Sequence, residues 1–326
     1  MSSGSNVPET VVPTLRPALP QPSAWRKIFI GPNGVRAGWR LALFLAFLVG
    51  LQLLLIQFGL RKIPAARAIA QSSKAGTLTA QFQIMIEGAG IIVVFLATAI
   101  MSRIEKRPFG TYGIPLQSAF GRNFWQGIVA GLAFESIEMV VMSALGGFSF
   151  GTLALAGGAL VKFAAVWAIA FLFVGILEEF VFRGYTQFTL GSGIGFWPAA
   201  ILMSTLFGAV HISNPGEGWV GALSVALFGL FACLTLRRTG NLWFVIGFHA
   251  ATDYAESFIF STPDSGLMAQ GHLLNSSFHG PRWLTGGTVG PEGSVLDFAL
   301  FTLMFIAFAK FYPAKRDAAV QESKPL

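Results

Sequence analysis

Long apolar runs separated by short polar stretches make up most of this chain. About eight can be marked, at roughly 39–59, 80–101, 124–146, 164–190, 196–212, 219–236, 241–261 and 294–312, and a helix of about 20 residues spans a hydrocarbon core. The pattern predicts an all-α polytopic membrane protein with about eight transmembrane helices. The fifth and sixth runs are short, which suggests less tilt or a partly re-entrant course. Stretches at about 147–163 and 262–293 are rich in Gly, Ser and Pro and read as irregular outer loops, and GSGIG at 191–195 reads as a tight inner turn. The N-terminal segment is polar and Pro-rich and lacks the apolar core of a signal peptide, so it reads as a disordered cytoplasmic tail. The expected organisation is a tail at 1–35, a membrane domain at 36–315 and a second cytoplasmic tail at 316–326.

Composition supports this reading. Of 326 residues, 54% are hydrophobic and only 11% charged, against about 25% charged in a soluble domain. The 32 phenylalanines suit lipid-facing helices. The net charge of +7 comes from short basic clusters beside the apolar runs, so it bears on topology and excludes a nucleic-acid partner. Arg26, Lys27, Arg36 and Arg40, then Arg103, Lys106, Arg107 and Arg122, then Arg237 and Arg238, then Lys315, Arg316 and Lys324 fall on one side if both termini are cytoplasmic. Arg61, Lys62, Arg67 and Lys74 break the rule, which is statistical. Cys233 is the single cysteine, so no intrachain disulfide or Cys-rich metal site can form.

The candidate chemistry lies in polar residues inside the apolar runs, where each charge costs at least about 2.5 kcal/mol. They are Glu87, Glu135, Glu138, Glu178, Glu179, Arg183, His211, His249, Asp253 and Glu256. Glu179 and Arg183 are four apart, with the acid on the N-terminal side, and can pair along one helix face as a structural salt bridge. Glu178 is turned by about 100° from Glu179. It therefore needs a partner on another helix, in water or on a metal. Phe207 and His211 share the four-residue step, as do His249 and Asp253. With a rise of 1.5 Å per residue, Glu178 lies roughly 18 Å from a helix end near 190, and His211, His249 and Asp253 lie roughly 22, 12 and 18 Å into their helices. All four then sit near mid-membrane.

A carboxylate beside an imidazole can hold and deprotonate water, and a second imidazole can donate to an oxyanion. The same set, with His211, His249 and Asp253 as ligands, also suits zinc. Either route hydrolyses a carbonyl compound, and an amide is the natural target within a membrane. The common HExxH zinc motif does not occur. Glu135 and Glu138 read either as a proton or cation site or as a wet helix face, and His272 and His279 read as solvated loop residues.

EEFVFR at 178–183, FGAVH at 207–211 and HAATD at 249–253, in this order, resemble the motifs Glu-Glu-x-x-x-Arg, Phe-x-x-x-His and His-x-x-x-Asn/Asp. These belong to the CPBP intramembrane proteases, the family of the type II CAAX prenyl endopeptidases and of bacteriocin-processing and immunity proteins. EKRPFGTYGI at 105–114 is also similar to family members. The resemblance covers about residues 100–260, implies a catalytic core at about 160–260, and leaves open whether zinc takes part. It implies a membrane endopeptidase with Glu178, Glu179, His211, His249 and Asp253 as its catalytic set. Glu178 and His211 would activate water, and His249 with Asp253 would stabilise the oxyanion. Arg183, braced with Glu179, and Phe207 would support the motif helices. Many members have Asn where this chain has Asp253, whose ionised form would repel an oxyanion. It would have to be protonated, turned toward His249 or bound to a metal. The short tail without an organelle signal points to a bacterial inner (cell) membrane. It also points away from prenylated substrates and toward a membrane-embedded or leader peptide or protein. The rival readings are a non-catalytic membrane scaffold or immunity protein and an ion-coupled transporter.

Overall fold

The computed structural model describes residues 28–31, 34–72, 77–214 and 216–313. Most of the two expected tails, with Arg26, Lys27, Arg316 and Lys324, lies outside these residues, as do Lys74 and Lys315. The chain divides into two compact units at Arg36. In the first, β1 (Ile30–Gly31) pairs antiparallel with β2 (Gly34–Val35).

The second unit is helical. It comprises α1 (Ala37–Leu54), α2 (Pro64–Ser72), α3 (Ala80–Glu105), α4 (Arg122–Ala144), α5 (Gly157–Arg183), α6 (Tyr185–Ile194), α7 (Phe196–His211), α8 (Trp219–Thr239), α9 (Trp243–Asp253), α10 (Arg282–Thr285) and α11 (Val295–Phe311). Wider π-helical turns extend α1 over Leu55–Leu60 and α9 over Tyr254–Ile259. The expected all-α membrane architecture is present. Among the described residues, five stretches are long and apolar enough to cross a bilayer: 37–60, 80–105, 122–144, 157–194 and 219–239. The sixth run is thus longer than expected, whereas α7 has only 16 residues.

Two local expectations are corrected. The fourth run is two helices, because the chain leaves helical geometry at Gly184 (φ −81°, ψ −124°). A side chain there would collide with Phe180, and the Thr186 hydroxyl instead donates to the Val181 and Phe182 carbonyls. Most of GSGIG forms the last turn of α6, and only Gly195 (φ +87°) makes the turn into α7.

Helix α9 organises the bundle. Its residues from Trp243 to Ala251 are all buried, as expected of a helix that is apolar all round. It packs most extensively against α4 and also against α5. The approach to α4 is close because Gly127 and Gly131 face the Phe244 and Phe248 carbonyls, while Gly247 faces the Phe124 carbonyl. A Cβ at any of the three would overlap backbone, and small residues at such contacts are how membrane helices gain packing without a hydrophobic drive.

Phenylalanine placement also departs from expectation. Phe134, Phe228, Phe231, Phe244, Phe248, Phe301 and Phe308 are buried in the interior, in ring contacts such as Phe134–Phe248 at 5.6 Å and Phe231–Phe308 at 5.6 Å. Aliphatic residues such as Leu53, Ile92, Val129, Val161, Ile201 and Ile306 are exposed instead. In lipid, dispersion between well-fitted rings favours the interior.

The two Gly-rich loops are joined into a cap. Strand β4 (Phe148–Ser149) pairs with β6 (Ser277–Phe278), and β3 (Thr77–Leu78) pairs with β5 (Met268–Ala269). His272 Nδ1 donates to the Leu274 carbonyl at 2.8 Å, and His279 Nε2 lies 3.1 Å from the Ser149 hydroxyl. His279 is exposed, as expected, and bonds across the cap, while His272 is tied to its own loop backbone.

Gly127→Ala and Gly131→Ala should each destabilise the detergent-purified protein by at least about 1 kcal/mol, read by thermal unfolding. Gly50→Ala, whose Cβ would meet nothing within 4 Å, should leave stability unchanged or raise it.

Candidate active site

The last two turns of α5 carry Glu178, Glu179 and Arg183. Glu179 and Arg183 are fully buried and paired at 3.2 Å. The guanidinium carbon lies 4.2 Å from the Phe207 ring centroid and 5.9 Å from that of Phe228, a cation–π cradle formed by α7 and α8. Gly229 makes room for it, since a Cβ there would come 2.5 Å from Arg183 Nη2.

The pair is not closed on itself. Glu179 Oε1 also meets His249 Nδ1 at 2.9 Å, so one oxygen joins α5 to α9. That contact turns His249 Nε2 toward two other carboxylates, Asp253 Oδ2 at 3.5 Å and Glu178 Oε2 at 3.8 Å. Glu178 thus finds its partner on another helix, and that partner is His249. Among the described residues, no hydrogen bond or ion pair joins Glu178 to His211. Glu178 also differs from its neighbour in exposure, since 28% of its side chain is accessible and none of Glu179's is.

His211 is the last residue of α7. Its Nδ1 lies 2.7 Å from the Phe207 carbonyl, an acceptor only, so Nδ1 carries the hydrogen and a neutral ring presents Nε2 as a base. The His211 ring packs against Phe207, with centroids 4.7 Å apart, and Phe207 in turn lies 6.4 Å from the His249 ring. Phe207 therefore packs against both imidazoles.

His211, His249 and Asp253 line a cavity of about 70 Å³. Aromatic walls come from Phe134, Phe207 and Phe228, and the remaining polar wall is mostly acidic: Glu135, Glu138, Glu256, Glu292 and Asp297. Ser224 donates its hydroxyl to Asp297. Glu178 and Glu179 are not part of this wall, and Glu178 reaches the site through His249.

Ligand atoms of three acidic residues, Glu256, Asp264 and Glu292, lie within 4.8 Å of one another, the distance a shared metal ion requires. Among the described residues, no such gathering includes His211, His249 or Asp253. Burial pushes the Asp264 carboxyl up to about 6, and the Ser257 hydroxyl pulls it back.

Asp264, Glu292 and Asp297 escape the sequence reading. Asp264 and Glu292 sit in a Gly-rich loop. Asp297 occupies the first turn of α11 after the cap residue Ser294, where an acid normally complements the helix dipole. Their convergence is set by the cap, which no local pattern encodes.

Residues 160–255 match the family model of the Type II CAAX prenyl endopeptidase Rce1-like proteins. Over this segment the chain is similar to the CAAX-protease family. The match spans α5 to the start of the π turn after α9 and holds all three motifs. No curated protein and no solved structure matches the chain. The family is one of intramembrane endopeptidases, and its membrane helices fit a membrane-associated peptide substrate.

Arg183→Met would leave Glu179 buried with only His249 as partner, and should cost about 3–5 kcal/mol in thermal unfolding. The double variant Glu179→Gln/Arg183→Met should recover part of that loss, because no uncompensated charge remains.

Proposed function

We propose that the chain is an intramembrane endopeptidase that hydrolyses a peptide bond of a membrane-associated substrate, with Glu178 as general base. The observation that carries this reading is the division of labour between adjacent glutamates. Glu179 is sealed and fixes His249, while Glu178 stays accessible beside the same imidazole. In the proposed step Glu178 takes a proton from water, and His211 Nε2 accepts a hydrogen bond from the same water and orients it. The water oxygen bonds to the scissile carbonyl carbon. The carbonyl oxygen becomes an oxyanion, which takes a hydrogen bond from Nε2–H of a doubly protonated His249 whose Nδ1–H is held by Glu179. The proton on Glu178 then passes to the leaving nitrogen as the C–N bond breaks. Asp253 lies 3.5 Å from His249 Nε2 and acts on the imidazole, favouring its doubly protonated form.

Glu178→Ala and His211→Ala should each lower cleavage of a membrane peptide by about 10²–10⁴-fold, with little change in unfolding temperature. Wild-type turnover in Glu178→Ala would remove it from the water-activating role. Asp253→Asn should stay within about tenfold of wild type, because the amide can still contact the imidazole without its charge. A complete loss in that variant would mean that the charge itself is required.

A further inference from the structure

We propose that Glu256, Asp264 and Glu292 form a binding site for one hard divalent cation, with calcium favoured, against the active-site cavity. An ion coordinated at about 2.3–2.6 Å needs ligand oxygens no more than about 5 Å apart, and these three residues meet that condition within 4.8 Å. Proximity of acids alone would carry little weight. The independent observation is that Glu256, only 4% exposed, has Oε1 without any hydrogen-bond partner and lines the cavity beside Glu292. Across the same cavity, both oxygens of the fully buried Glu138 and one of Glu135 are likewise unpartnered. Among the described residues, no Lys or Arg side chain lines this space. A buried carboxylate without a donor is costly, and here several face one small void.

The surroundings orient the three ligands as second-shell groups do around metals. Ser257 donates to Asp264 Oδ2 at 3.0 Å, and Ser265 approaches both Glu292 oxygens at 3.2 Å. Gly290 (φ +117°) lets the loop press onto Glu256, since a Cβ there would come 2.8 Å from Glu256 Oε1. The ligand set is all oxygen and comes partly from an irregular loop. This suits calcium, which tolerates flexible geometry, better than magnesium, which demands a near-ideal octahedron, or zinc, which prefers nitrogen and sulfur. A bound ion would clip the loop onto the π turn that follows α9, three residues beyond Asp253.

The test uses the full chain in detergent, stripped with EGTA and titrated calorimetrically with calcium chloride, then with magnesium chloride. Saturable binding of one calcium per chain, weaker for magnesium, is expected, with a calcium-dependent rise in unfolding temperature. Glu292→Gln should abolish both signals. Ser265→Ala, which keeps all three ligands, should weaken calcium binding about tenfold and guards against a variant that merely misfolds. Absence of saturable binding in the wild type would overturn the proposal and assign protons to these carboxyls. Equal binding in wild type and both variants would overturn it as an adventitious ion. Neither reading depends on cleavage, so the outcome is separable from that of the peptidase assay.

Discussion

One carboxylate oxygen, Glu179 Oε1, holds the site together. It receives a guanidinium from its own helix and an imidazole from another, in a place that water does not reach. A buried charge must be matched or it is expelled, and here the matching is distributed across four helices. Arg183 stabilises Glu179, Phe207 and Phe228 stabilise Arg183, and His249 acquires its orientation as a result. The accessible chemistry of Glu178 and the Nε2 face of His249 depends on this sealed arrangement.

The bundle is built to keep that geometry fixed. Helix α9 is pressed between α4 and α5, with glycines at the contacts, and has little freedom to rotate. A quarter turn of α9 would carry His249 Nδ1 away from Glu179 and Nε2 away from the carboxylates. Phe207 holds His211 at one edge and lies beneath Arg183 on its other side, so the second imidazole is referenced to the same buried pair.

The apolar runs made the helical architecture legible, because period and length in a bilayer leave few alternatives. The pairing of Glu179 with Arg183 was legible too, since it is local in sequence. The sharing of Glu179 with His249 was not, because 70 residues separate them and only the α5–α9 packing brings them together. The break at Gly184 was masked by a continuous apolar pattern, which does not distinguish one long helix from two. Many phenylalanines lie inside while others, such as Phe58 and Phe311, are exposed, because hydropathy reports preference for lipid or core alike and ring packing decides between them. The acidic wall needed the cap, whose strands are two residues long and carry no periodic signal.

That cap has a mechanical consequence. The stretch from about 262 to 293 is tied to β3 before α3, to β4 before α5, and by its backbone to the π turn after α9. A segment fastened at three points does not swing open like a flap on one hinge. An approach to the imidazoles that required this segment to lift would have to break all of these ties at once.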